Sequence, residues 1–431
     1  MRSMPNVVRK CQAVPDFQSG IVVGIDVSKG KMSFGAFHPS MRTGVSLADQ
    51  NATGFRSLGR FIDDLIAKGH DPWIAYEPTG PYSTCLREWL VTRGRRVVQV
   101  NPYHVKRTKE VRDNSPKKDD WKDPSVISDL VWQGCYQEVM SLDGAYADLR
   151  AASAEWASLA KKRTAMRNEF QSLLQVWFPE LCEIFKDAVC KSVRGIVRRY
   201  PGVEALAGSR RSSLESTLRK ASLGRTLGRM EAILSAAKDS VAPRRGQQAR
   251  HSAMIALLDM LELVESRREQ LKAEMEEFLL VLPEARCLLS FPSVGTITVA
   301  GLLGECGNIG DYRCYEQLEK LLGLNLYEVS SGKHKGRRHI SKRGRALARY
   351  LICSVAMLQT RSGGLFEEFA NELKARGKKT GEIRVAVARK LLRFLYALAR
   401  DQREFDPRQF FTGSRAEDGL VIQQGTQAQA A

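Results

Sequence analysis

Four carboxylates and one basic run hold the residue types in this chain best suited to chemistry. Asp26 closes an apolar stretch that begins at Ile21, and Glu77 closes a second that begins at Trp73. Asp120 and Asp123 stand three residues apart ahead of a helical pattern through Val126, Ile127, Leu130 and Val131. Pro124 suits a first helical turn, so that helix is expected to start near Asp123. The spacing then puts both acids on one side of its N-terminus. A single acid at a strand end means little. Four acids gathered at one sheet edge repel each other, and such clusters persist mainly where they bind hard cations. Mg²⁺ (or Mn²⁺) takes a few carboxylates plus water and substrate phosphate. A pair of such ions, about 3.5–4 Å apart, stabilises both the attacking and the leaving oxygen of a phosphoryl transfer. The plain alternative is helix capping by Asp123 and simple exposure of Asp120.

The basic run follows Ser330-Ser331-Gly332. From Lys333 to Arg349 it holds eight Lys or Arg and no acid, and Gly332 ahead of it with Gly336 and Gly344 inside it break the run before a helical pattern near Arg345. Lys333, Lys335, Arg337, Arg338, Lys342 and Arg343 make a positive loop suited to phosphate, because charge and backbone N–H groups can both approach an anion. Plain nucleic-acid contact, a chemical role and no role at all remain open for the run taken by itself. His334 and His339 lie close by, but no Ser-His-Asp order accompanies them, and contact with phosphate is the simpler use for both.

Positioning the acids requires a sheet. Val22 to Val27 reads as a buried strand, Ser28 to Lys31 as a turn, and Met32 to Phe37 as the second strand of a hairpin. Phe55, Leu58, Phe61, Ile62, Leu65 and Ile66 fall on one helical face. Further strands are expected at 73–77 and 96–100, with a helix through Leu86, Leu90 and Val91 between them. Residues 20–140 therefore read as an α/β domain. Residues 141–283 change period. Trp156 to Trp177 and Met254 to Leu279 predict two helices of ~30 residues, about 45 Å each, able to pair antiparallel as a coiled coil. Between them, Lys191 to Arg229 carries ten basic residues against Glu204 and Glu215. Residues 284–402 read as a second compact, mostly helical domain, residues 1–19 as a loose leader and 403–431 as a disordered tail.

Composition narrows the partners. The chain has 431 residues, a net charge of +19 and a pI of about 9.6, which points to DNA or RNA. No apolar run approaches the ~20 residues of a spanning helix. Nine cysteines without a CxxC pair argue against a disulfide framework or structural zinc and for a reducing, cytoplasmic setting.

The motifs in order resemble the DEDD transposases of the insertion-sequence-110 type, including the 1111 and 116/902 groups. They are Gly24-Ile25-Asp26-Val27-Ser28-Lys29, Glu77-Pro78-Thr79-Gly80-Pro81-Tyr82, Asn101-Pro102 and Lys118-Asp119-Asp120-Trp121-Lys122-Asp123. The series continues with Pro292-Ser293-Val294-Gly295, Leu321-Leu322-Gly323-Leu324, Ser330-Ser331-Gly332 and Ile340-Ser341-Lys342-Arg343-Gly344. The resemblance implies a RuvC-like (RNase H superfamily) N-terminal domain, a coiled-coil connection and a C-terminal transposase domain. It carries the metal-binding tetrad to Asp26, Glu77, Asp120 and Asp123, and the nucleophilic serine to Ser331. It further implies a prokaryotic, nucleoid-associated recombinase that excises and inserts its element. A guide RNA would direct it, and a dimer or tetramer would share the active site between subunits.

Three positions depart from the family pattern. Asp119 stands where Thr or Asn is usual and competes with Asp120 for a metal role. Pro124 replaces Ala. Ser293 replaces Gly in a tight turn. The rival functions are a metal-dependent nuclease or junction resolvase that uses water, and a non-catalytic nucleic-acid-binding protein.

Overall fold

The computed structural model describes residues 20–38, 40–113, 122–140, 142–328, 336 and 338–408. Strand β1 (Val22–Val27) is apolar almost throughout because both its faces are covered. Val23, Ile25 and Val27 turn to a core with Phe34, Leu58, Ile62, Ile74, Tyr76 and Leu86. Val22 turns the other way, to Ala75, Val98, Val100, Val126, Ile127 and Leu130.

β2 (Lys31–His38) returns antiparallel to β1, as the hairpin pattern predicts. β3 (Met41–Arg42) and β4 (Ser46–Asp49) pair with β2. Helix α1 (Ala52–Ala67) is capped by the Asn51 side chain, which accepts from the Gly54 N–H. β5 (Trp73–Tyr76) lies parallel to β1. A 3₁₀ turn leads into α2 (Thr84–Val91), and β6 (Val97–Val100) adds parallel to β5. Then come α3 (Pro102–Asp113), α4 (Asp123–Trp132) and β7 (Tyr136–Glu138), the last antiparallel to β6. The described strands form a mixed sheet of order β3-β2-β1-β5-β6-β7, with β4 also on β2.

The next stretch is wholly helical. α5 (Ala145–Trp177) is followed by α6 (Pro179–Ile184), α7 (Lys191–Arg199), α8 (Val203–Ala207), α9 (Arg211–Ser222), α10 (Met230–Lys238) and α11 (Gln247–Leu280). α5 and α11 are the two long helices that the periodicity predicts. They run antiparallel, since Glu155 meets Arg267 while Arg163 meets Glu265. Phe170, Leu174 and Trp177 pack with Leu257, Leu258 and Leu261 in a core that α6 to α10 complete. α12 (Pro283–Leu289) and α13 (Thr296–Cys306) follow.

The last stretch has α14 (Tyr315–Leu322), β8 (Leu326–Glu328), β9 (Arg338–Ile340), α15 (Ala346–Gln359), α16 (Glu367–Ala375) and α17 (Thr380–Asp401). β8 and β9 form a two-stranded antiparallel hairpin that the sequence reading did not anticipate.

Contacts divide the chain into two units. One holds residues 1–143 and 308–401, the other 144–307 and 402–431. This division places residues 284–307, expected with the C-terminal domain, in the helical unit. The expected tail also needs correction at its start. Phe405 donates its N–H to Ser290 Oγ at 2.7 Å and packs its ring on Phe291 at 4.7 Å, so the chain is docked at residues 404–405, where Glu404 also pairs with Arg286. The leader, residues 1–19, and the tail beyond residue 408 lie outside the described residues.

Candidate active site

Successive residues of a strand face opposite sides of the sheet. Val22 and Ala75 belong to the core under α4, so Gly24 and Asp26 on β1, and Glu77 just past β5, share that face. Ile25 pairs with Tyr76, and the Glu77 N–H still reaches the Ile25 carbonyl at 3.4 Å. Asp26 and Glu77 therefore leave adjacent parallel strands at the same level and on the same side. Tyr76, between Ala75 and Glu77 in sequence, turns to the opposite core, where burial pushes its phenol up to about 12.

Helix α4 brings the next acid. A Cβ at Gly24 would lie 2.0 Å from the Pro124 carbonyl oxygen, so the helix rests directly on the bare strand. The Ser128 hydroxyl lies 2.9 Å from the Pro124 carbonyl and 3.4 Å from that of Val22. With Ser128 over Val22 and Pro124 over Gly24, α4 runs opposite to β1, and its first residue, Asp123, continues towards Asp26. Asp123 is 2% exposed. Its Oδ2 pairs with Lys109 Nζ of α3 at 2.5 Å. Its Oδ1 is buried without a hydrogen-bond partner. Neither oxygen caps the helix, which removes the capping alternative for this residue. The oxygen chemistry and the orphaned Oδ1 suit a hard cation. Among the described residues, however, no three His, Cys, Asp or Glu side chains are grouped to hold a metal. Asp119 and Asp120 lie outside the described residues.

Ser331, Lys333, Lys335 and Arg337 also lie outside them, between β8 and β9. The base of that hairpin is described. Leu326 pairs with Ile340, Tyr327 with His339 and Glu328 with Arg338. Arg338 is exposed, yet an ion pair with Glu328 at 3.1 Å offsets its charge. Ser341 is tied to Asn325 twice, by N–H to carbonyl at 3.0 Å and by hydroxyl to Oδ1 at 2.6 Å. Lys342 is exposed and donates its N–H to the Gly323 carbonyl at 3.0 Å. A Cβ at Gly344 would lie 2.0 Å from the Leu321 carbonyl, and φ there is +138°, so only glycine fits. Arg343 reaches over the Tyr103 ring of α3 at 5.9 Å. Thus α3 touches both Asp123, through Lys109, and the hairpin base, through Tyr103. The sequence reading missed both residues. Their only signal was a helical, basic segment after Asn101-Pro102, and nothing distinguished Lys109 from its basic neighbours.

These features define a class before they define a family. A transposase model of the IS110 DEDD type matches residues 23–179, which include Asp26, Glu77, Asp120 and Asp123. A second, described as transposase of the IS116/IS110/IS902 family, matches residues 285–371, which include Ser331 and the basic run. The chain is a transposase, an enzyme that cuts and rejoins DNA. It is 24% identical to an uncharacterized 44.8 kDa protein of insertion element IS116 from Streptomyces clavuligerus, over 77% of this chain and 84% of that one. It is also 24% identical to an uncharacterized 43.6 kDa protein of insertion element IS110 from Streptomyces coelicolor, over 68% and 73%. The chain belongs to the IS116/IS110/IS902 family of insertion-sequence transposases. No helix among the described residues is long and apolar enough to cross a membrane.

Proposed function

We propose that the sheet edge formed by Asp26 and Glu77, with Asp120 and Asp123, is a RuvC-like metal site that serves Ser331 as nucleophile. The observation that carries this reading is the placement of Asp26 and Glu77 on the α4 face, with the unpartnered Oδ1 of Asp123 at the helix end that continues towards them. The four acids would hold Mg²⁺ or Mn²⁺, which polarises the scissile phosphate when bound. Ser331 Oγ attacks phosphorus and forms a serine–phosphate ester as the bond to the leaving sugar oxygen breaks. The proton lost from the Ser331 hydroxyl balances the one that the leaving sugar oxygen takes up, and the reverse step rejoins the strand. Lys333, Lys335, Arg337 and Arg338 stabilise the charge on the phosphorane, while Lys342 and Arg343 seat the flanking DNA. The pairing of α5 with α11 fits a coiled-coil connection between domains, and the net charge of +19 leaves room for a guide RNA beside DNA. The functional particle would be a dimer or tetramer.

The deciding experiment incubates the protein with end-labelled element DNA, guide RNA and Mg²⁺, followed by a denaturing gel. The wild type should give a protein–DNA adduct. Ser331→Ala should give neither adduct nor exchange. Asp26→Asn should cut at least about a thousandfold more slowly while still binding DNA. Cleavage by Ser331→Ala at the wild-type rate would assign the attack to water and sink the serine mechanism.

A further inference from the structure

The helical unit carries a feature that the carboxylates and the hairpin do not use. Helices α7 and α9 enclose a groove of about 960 Å³. The helices can approach because Gly195 faces Ala221 and Thr217, where an added Cβ would lie 3.1 Å from the Ala221 Cβ. Small residues thus make a floor, and longer side chains make the walls. Lys191, Arg198, Arg199 and Lys220 stand on the walls with Ser216 between them, and Glu262 of α11 adds one carboxylate.

The cations divide into two sets. Arg194 is held in place: it forks onto Glu265 through Nη1 and Nη2 at 2.9 and 3.1 Å and donates Nε–H to the Val189 carbonyl at 2.8 Å. Arg198 pairs with Asp259 at 2.7 Å and Glu262 at 3.0 Å. Lys191, Arg199 and Lys220 are exposed and have no carboxylate partner among the described residues. The Ser216 hydroxyl is exposed as well and makes no described hydrogen bond. Three exposed, uncompensated cations around a hydroxyl-bearing cleft set up a positive potential that attracts a polyanion. The groove has no aromatic lining, so it offers nothing for a base to stack on. Its donors are the kind that address phosphate oxygens rather than base edges.

We propose that the α7–α9 groove is a sequence-independent site for the phosphate backbone of duplex DNA, gripping a flank away from the reacting phosphate. DNA is the polyanion that family membership already supplies. Lys191, Arg199 and Lys220 make the ionic contacts, Ser216 donates to a phosphate oxygen, and the Arg194–Glu265 fork keeps α7 in place.

The test uses the full chain in EDTA, so its outcome depends on neither metal nor Ser331. Fluorescence anisotropy follows a labelled 40-base-pair mixed-sequence duplex and, separately, a labelled RNA hairpin. Lys191→Gln, Arg199→Gln and Lys220→Gln are combined, and Ser216→Asp is made separately to put an acid on the exposed wall. Lys161→Gln, Lys162→Gln and Lys272→Gln on the long helices form a charge-matched control. Thermal melting confirms that each variant folds. The triple variant should bind the duplex on the order of a hundredfold more weakly at 0.1 M salt, with the slope of log K against log[salt] reduced by nearly three. Ser216→Asp should weaken binding in the same direction and the control much less. Unchanged duplex binding, a loss matched by the control, or a loss confined to the RNA hairpin would overturn the assignment.

Discussion

The carboxylate edge and the α7–α9 groove are opposite solutions to gathering like charge. At the edge, the acids sit on short side chains whose places follow from strand pairing and from one helix laid on Gly24. Their separation is built into the backbone. In the groove, the cations sit on the long stems of Lys and Arg, which can shift by several ångströms without moving a helix. Compensation differs as well. Asp123 is 2% exposed and has one cation, Lys109, on one oxygen. The groove instead leaves three cations to water. Reaction at a phosphate needs fixed geometry, whereas holding a phosphate backbone needs charge in roughly the right place.

The comparison is most directly broken at Gly24. Gly24→Val would force α4 off β1, costing about 3 kcal/mol by overpacking. Strand cleavage should disappear, while EDTA-resistant duplex binding by the folded fraction should survive. If cleavage persisted at the wild-type rate, the seat of α4 would not set the site. A smaller effect is expected at Lys109. Lys109→Met leaves Asp123 buried without its cation, and after discounting for the lysine's partial exposure the loss is about 2 kcal/mol in metal-free buffer. Added Mg²⁺ should restore part of the melting temperature in this variant and less in the wild type. An equal Mg²⁺ response in both would show that the lysine and a cation do not compete.

The helical unit offers a subtler test. Burial works against charge on Glu265, but hydrogen bonds from Arg194 and Arg163 outweigh it and hold the carboxyl below its usual range. A depressed folded value means that this contribution is complete above the ordinary carboxylate value of about 4.3 and is lost as pH falls through the folded value. Glu265→Gln should cost about 1.5 kcal/mol at pH 7 and progressively less in acid, read from urea melts across pH 2–7. A cost that stays constant over that range would refute the charge argument. The smallest effect is a gain. Ser293 holds φ at +64°, a left-handed conformation that glycine adopts without a Cβ clash. Ser293→Gly should stabilise the protein by about 1 kcal/mol, visible as a higher melting temperature.

That last residue shows how much was legible beforehand. The usual glycine of the turn was known to be missing, and the φ value gives the physical reason for the preference. The strands around Asp26 and Glu77, the start of α4 at Asp123 and the two long helices were readable because apolar periodicity reports burial directly. The β8–β9 hairpin was not readable. Its strands are three residues each and largely exposed, so no alternation of apolar and polar residues marks them. Lys109 was hidden for another reason: an ion pair across two helices leaves no trace in local spacing. The basic count between Lys191 and Arg229 was plain, but Arg194 and Arg198 are held by Glu265, Asp259 and Glu262, more than sixty residues downstream of them.

The interleaving of the two units has a consequence for synthesis. Residues 1–143 emerge from the ribosome first, but their unit also contains residues 308–401. At typical elongation rates, the intervening helical segment takes on the order of ten seconds to be made. For that interval the nascent sheet waits, and Tyr103 has no Arg343 to receive. The helical unit is nearly complete before the sheet unit can close, and it gains its last contacts, at Glu404 and Phe405, as the end of the described chain appears. A ribosome that stops before residue 308 therefore leaves residues 1–143 without the hairpin base and the helices α14 to α17 that complete their unit.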